Sequence, residues 1–153
     1  MADPRATHDL HFRRLERMYA SAAINRLFPS TIVVSEARAV LTAQVLPEHS
    51  HAAGAAHGSL YFKLLDDAAF YAVNSLVHDV FCLTTAFNLF LTRPITAGPL
   101  VAEGRWVSGR RRVFIAEATL RDPDGEEVGR GTGTFMRSRI PLNDLAGYAD
   151  GPA

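Results

Sequence analysis

Residues 57–75 read HGSLYFKLLDDAAFYAVNS. The stretch predicts a helix over about 57–76, roughly 30 Å long. It is apolar on nearly every face, so both of its sides call for cover. Two adjacent carboxylates, Asp66 and Asp67, interrupt it. Successive helical residues lie about 100° apart, which gathers Lys63, Asp67 and Asn74 into one narrow polar stripe. Lys63 and Asp67 form an i,i+4 pair, so Asp67 reads as a solvated or paired surface charge. Asp66 lies off the stripe, with Phe62, Ala69, Phe70 and Val73 as helical neighbours. A carboxylate in that company is poorly solvated, which raises its pKa and makes it a better base. The residues alone leave two roles open for Asp66: a catalytic base, or a carboxylate that caps the amides of a neighbouring loop.

The rest of the chain supplies a partner for this helix. A helical pattern runs from His8 to about Arg26 and is closed by Pro29. Residues 31–46 alternate as one long strand whose buried face carries Ala37, Ala39, Leu41, Ala43 and Val45. Such small residues imply a bulky element packed close against them. After the helix come strand-like runs at 82–92, 99–109, 112–121 and 127–138, separated by short breaks such as Asp122-Pro123-Asp124-Gly125. Short breaks force antiparallel neighbours, so the expectation is an α+β fold: one antiparallel sheet of about five strands across one long helix, with an N-terminal helix besides. One sheet covers one side of the helix, and a second subunit is expected on the other. A single domain over 1–153 is expected, with 1–7 and 142–153 as loose termini.

The bulk numbers exclude more than they assert. Sixteen Lys and Arg balance sixteen Asp and Glu, so nothing favours a nucleic-acid partner. Cys82 is the only cysteine, which removes an intrachain disulfide framework and any Cys/His zinc spacing. It is expected to be a small buried apolar residue, and its solitude suits a reducing cytoplasm. The N-terminal stretch lacks the apolar core of a signal peptide. The most apolar window contains Lys63, Asp66, Asp67 and Asn74, which argues against a membrane span.

The head of the helix offers a second piece of chemistry. His57-Gly58-Ser59 opens it, and the first N–H groups of a helix have no partner inside it and carry the positive end of its dipole. Gly58 allows close approach to that backbone. Amides so placed can polarise a carbonyl and hold an oxyanion. Asp66 is about 12 Å further along the axis. Two antiparallel helices across a two-fold axis would bring the Gly58 amide of one chain to Asp66 of the other.

The helix motif resembles that of hotdog-fold thioesterases, in particular the phenylacetate-pathway, PaaI-like acyl-CoA thioesterases. Their pattern is His-Gly-Gly, a Phe/Leu turn, Leu-Ala-Asp-x-Ala and a later Asn-Ser. His57, Gly58, Phe62, Leu64, Asp66, Ala68, Tyr71, Ala72, Asn74 and Ser75 match it in register. The resemblance covers most of residues 18–138, including RPITAGPLVAEGRWV and DPDGEEVGRGTGTF. It implies a hotdog fold and an acyl-CoA substrate whose acyl group is aryl or medium-chain. Asp66 falls on the catalytic carboxylate, base or nucleophile, and Gly58 on the oxyanion donor. Thr84 falls where some relatives position the water, and His57 is expected to orient the loop. Asp67 falls on a variable position.

Two departures stand out. Ser59 replaces the second glycine of His-Gly-Gly, and His51 stands where the family often has Asn or Gln; both are candidate substrate contacts. Arg110, Arg111, Arg112 and Arg137 are candidates for gripping the CoA phosphates, or else are solvated turn and edge charges. A base and an oxyanion hole suffice for an activated thioester, so no metal or separate cofactor is expected. The resemblance also implies self-association, as a homodimer or a dimer of dimers. Two other readings stand beside the hydrolase: a hotdog module that binds acyl-CoA without cleaving it, and a hotdog hydratase or dehydratase, whose histidine motif is not found here.

Overall fold

The computed structural model describes residues 4–150, with side chains from Thr7 onward. The elements in order are α1 (Pro4–Ser21), a 3-10 turn (Ala23–Arg26), β1 (Ser30–Ser35), β2 (Arg38–Ala43), α2 (Gly58–Asn74), β3 (Val80–Leu91), β4 (Leu100–Ser108), β5 (Val113–Arg121) and β6 (Glu127–Pro141). The strands form one antiparallel sheet of six, ordered β1-β2-β4-β5-β6-β3. The helix α2 contacts every one of them. This is the hotdog arrangement, with six strands in place of the expected five or so.

A row of small side chains explains how the sheet closes on the helix. Ala39, Gly104, Ala118 and Gly131 pair side by side across β2, β4, β5 and β6. Opposite them Ala68 and Ala69 of α2 are fully buried. A Cβ built on Gly104 would stand 2.0 Å from the Ala68 carbonyl oxygen. Helix backbone and strand backbone therefore meet with almost nothing between them. At the β3 edge the space above Gly131 and Gly133 is filled by the Phe87 ring instead, which meets Phe62 of α2 edge to face at 5.7 Å.

Three expectations need correction. The single strand expected over 31–46 is a hairpin that folds at Glu36-Ala37. The turn carries no Gly or Asn; Ala37 itself takes φ 59°, a costly conformation for a residue with a Cβ. Two bonds offset that cost: its N–H donates to Ser75 Oγ at 2.8 Å, and its carbonyl accepts from Trp106 N–H at 2.9 Å. The N-terminal helix begins at Pro4 rather than His8, since proline loses nothing at a first helical position.

The tail, expected to be loose, packs over residues 142–150. Leu142 and Tyr148 are buried, Arg17 Nε donates to the Gly147 and Asp150 carbonyls, and Gly147 lies against the α1 backbone. Residues 1–3 and 151–153 of the expected loose termini lie outside the described residues. The cover expected from a second subunit is partly supplied by the chain itself. Lys63 and Asn74 are buried, the first under the α1 region and the second against α1 and the start of β3. Along α2 only Ser59 and Phe62 stay exposed, with Asp66 and Asp67 partly so and Gly58 partly so at its head.

The closeness at Gly104 has a measurable consequence. Gly104→Ala should cost about 3 kcal/mol or more, the upper end of overpacking penalties, in urea unfolding. Gly58→Ala, whose new Cβ would meet only Leu91 Cδ1 at 3.4 Å, should stay within about 0.5 kcal/mol of wild type.

Candidate active site

Ser59, Phe62 and Asp66 are spaced three and four apart and so share the one open face of α2. That face borders the edge strand β3, and β3 supplies the partner of Asp66. Thr84 Oγ1 donates to Asp66 Oδ1 at 2.9 Å. Burial pushes the Asp66 carboxyl up to about 6; the Thr84 bond opposes this, and the neighbouring Asp67 adds to it. Asp66 is thus not a loop cap but a half-buried acid held by one hydroxyl.

Asp66 opens into a cleft of about 480 Å³. One wall is α2 and β3, with Phe70, Tyr71, Phe81 and Leu83. The other comes from the chain's two ends: Tyr19, Ile24 and Asn25 from α1 and the 3-10 turn, Leu145 and Ala146 from the tail. The lining is mostly apolar.

Asp67 is the paired rather than the solvated charge of the two expected, and it lies inside the fold rather than at its surface. It forms an ion pair with Lys63 that is largely enclosed. Lys63 Nζ also donates to Asn25 Oδ1 at 2.7 Å and to Tyr19 Oη at 3.3 Å. Burial raises the Asp67 carboxyl and Lys63 lowers it again. The stripe pattern identified the pair correctly. It could not reveal that α1 and the 3-10 turn fold down over it.

The helix head is built separately. His57 caps α2, its Nδ1 accepting from Ser59 N–H at 3.0 Å and lying 2.9 Å from the Ser59 hydroxyl. That leaves the Gly58 N–H, in the first turn, without a partner among the described residues. Gly58 faces a second, smaller opening that His51 also lines. His51 Nδ1 accepts from Ala53 N–H at 3.0 Å and so holds its own loop. Within one chain, Gly58 and Asp66 therefore open into different clefts.

The arginines gather at one end of the sheet. Arg110, Arg111 and Arg112 are exposed on the β4–β5 connection, with Arg110 stacked 5.0 Å over Trp106. Arg137 N–H donates to the Arg112 carbonyl, and its guanidinium is tied to Asp79. Arg137 pairs with Cys82 on β3 and Phe135 with Thr84, so the cluster lies about 7 Å along the strands from Thr84. The Cys82 thiol is fully buried and is pushed up to about 12, too high for a nucleophile at neutral pH. Among the described residues no group of three or more His, Cys, Asp or Glu could hold a metal, and no helix is long and apolar enough to cross a membrane.

Residues 53–129 match the thioesterase superfamily model. That is half of the chain, and the protein belongs to the thioesterase superfamily; its class is thioester hydrolase. Solved structures agree on the fold. The PaaI protein of the phenylacetic acid degradation operon of E. coli superposes with a TM-score of 0.77 at 22% identity, over 86% of this chain and 98% of that one. A mutant of the phenylacetic acid degradation protein PaaI from Thermus thermophilus gives 0.69 at 24% identity, over 76% and 100%. A mutant thioesterase from Pseudomonas aeruginosa gives 0.73 at 20%, over 84% and 94%. No curated protein matches the chain significantly.

The raised Asp66 carboxyl carries a stability cost with a definite sign. Between about 4 and 6 the native state holds a proton that the unfolded state has released, so stability falls as pH rises through that window and stays lower above it. Asp66→Asn escapes the cost. At pH 7.5 the variant should melt roughly 2–6 °C above wild type, and the gain should vanish below the unfolded carboxyl pKa of about 4. Thermal melts across pH test this.

Proposed function

We propose that the protein hydrolyses the thioester of an aryl- or medium-chain acyl-CoA, with Asp66 as the reacting carboxylate. The observation that carries this reading is the Asp66–Thr84 pair, set on the open face of α2 at an apolar cleft. Asp66, ionised at neutral pH yet poorly solvated, either takes a proton from the attacking water or attacks the acyl carbon itself. Thr84 fixes the carboxylate and stands beside the water's position. The acyl group lies in the cleft, and the CoA phosphates run toward Arg110, Arg111, Arg112 and Arg137. The thiolate is a fair leaving group, so the reading calls for no cofactor beyond the CoA of the substrate.

The oxyanion donor is the Gly58 N–H of a second copy, with His57 and Ser59 holding the helix head that presents it and His51 beside it. A two-fold dimer through the β3 edge is the natural pairing. β3 has an unpaired side over twelve residues, and Leu83, Phe90, Leu91 and the adjacent Phe62 are exposed there. An exposed apolar edge of that length is rarely left open. Assembly into a dimer, or a dimer of dimers, completes the site.

Thiol release from a panel of aryl- and acyl-CoA esters tests the chemistry. Asp66→Asn should lower kcat at least about a hundredfold. In wild type, kcat/KM should fall as pH drops through about 6, because the ionised form of Asp66 is the active one. Full activity in Asp66→Asn would refute the assignment. Binding of CoA esters with no turnover would favour the non-catalytic module. A mixing experiment tests the shared site. Gly58→Pro removes the N–H at a position where proline is tolerated. Mixed and refolded with Asp66→Asn, two inactive variants should regain about a quarter of the wild-type activity, because half the dimers are hybrids with one intact site of two. No recovery would place both groups' work within one chain.

A further inference from the structure

The polar side chains beneath the cleft are nearly all engaged. Lys63 directs its three donors to Asp67, Asn25 and Tyr19. Tyr19 Oη also meets Ser30 Oγ, and Asn25 Nδ2 donates to the Tyr19 carbonyl at 2.6 Å. Tyr71 is the exception. The residue is 6% exposed, its ring packed edge to face on Tyr19 at 5.3 Å and on Phe70 at 5.0 Å. Its hydroxyl has no hydrogen-bond partner among the described residues. Yet it is not among the sealed, unsatisfied polar atoms, and the residue lines the cleft that Asp66 opens into. A phenol held this way, without a partner among the described residues and on a residue that lines the cleft, is in want of one.

Its position and charge state say what that partner would be. Tyr71 lies five residues beyond Asp66, about 7.5 Å along the helix axis. With the thioester at Asp66, that is the reach of a medium-length acyl group. Burial, Asp67 and Tyr19 all raise the Tyr71 hydroxyl well above its ordinary value, so it stays protonated and donates. Among the described residues no Lys, Arg or His lines the cleft, and Lys63 beneath it is spent on Asp67, so an ionised group at this depth would find no counter-charge and would face the Asp67 carboxylate.

We infer that Tyr71 is a specificity residue of the thioesterase: its hydroxyl selects acyl groups whose far end carries a neutral hydrogen-bond acceptor, a hydroxyl or a carbonyl, over hydrocarbon acyl groups of the same length. This rests on the thioesterase reading of the same cleft. A site built to bond a substituent rejects the analogue that lacks it, because binding the analogue leaves the buried phenol unpaired.

Paired substrates test it: hexanoyl- against ω-hydroxyhexanoyl-CoA, and octanoyl- against ω-hydroxyoctanoyl-CoA. Wild type should prefer the hydroxylated ester of at least one pair by about tenfold in kcat/KM, and in Tyr71→Phe that ratio should fall to about one. Equal rates in wild type for both pairs would overturn the inference. So would a preference that survives in Tyr71→Phe, or a variant that slows both members of a pair alike, as a purely structural tyrosine would. The same ratios are read as Kd by calorimetry on the Asp66→Asn background, which separates the two readings. If wild type hydrolyses nothing, the thioesterase reading falls, and the Kd ratios with and without Tyr71→Phe decide the role of Tyr71 by themselves.

Discussion

The contact of the α2 backbone with Gly104 sets the terms for everything else in the molecule. A helix that rests on strand backbone cannot be lifted, rotated or slid without opening a void or a clash. The contact is flanked by Ala39 and Ala118 on the sheet and is made by Ala68 and Ala69 on the helix. These small residues fix the rotation of α2. Rotation in turn decides which side chains point to the sheet, which to α1 and which to the one face left open. Asp66 lies on that face because Ala68 and Ala69 cannot.

Two aspartates in sequence thus meet opposite fates. Asp67 turns toward α1 and is neutralised by Lys63 under Tyr19 and Asn25. Asp66 turns toward β3 and receives one hydroxyl and no cation. Both are partly buried and both are raised by that burial. The difference lies in the partner. A paired carboxylate is structural, whereas a carboxylate with a single neutral donor keeps lone pairs for a proton. Fold and chemistry are separated by one 100° step around the helix.

Much of this was legible in the chain itself. The apolar helix, the alternating strands and their short breaks define an α+β sheet-on-helix arrangement, and the apolar neighbours of Asp66 mark it as the unusual carboxylate. What escaped has physical reasons. The β1–β2 turn is unmarked because Ala37 adopts its positive φ with the help of Ser75 and Trp106, which are distant in sequence. The tail reads as loose because its few apolar residues have no period, although Leu142, Tyr148 and Gly147 each find a place against the fold. The cleft beside Asp66 is assembled from both ends of the chain and the middle, and no local pattern announces such a meeting. The approach of Arg137 on β6 to Arg112 on the β4–β5 connection likewise depends on strand register, which residue types alone do not specify.

The edge strand β3 raises a further matter, that of unwanted association. A row of free N–H and C=O groups beside Leu83, Phe90 and Leu91 is a template for any extended backbone, including those of unfolded chains. The pairing of β3 with β6 shifts register between Val80 and Cys82 and again between Thr84 and Ala86. Each shift bends the strand and interrupts its ladder. The longest regular run is Ala86–Leu91. An intruding strand thus finds half the length that the strand's extent suggests, whereas a surface shaped to the same bends would lose nothing. The irregularity next to Thr84 thus also guards the edge against amyloid-like growth.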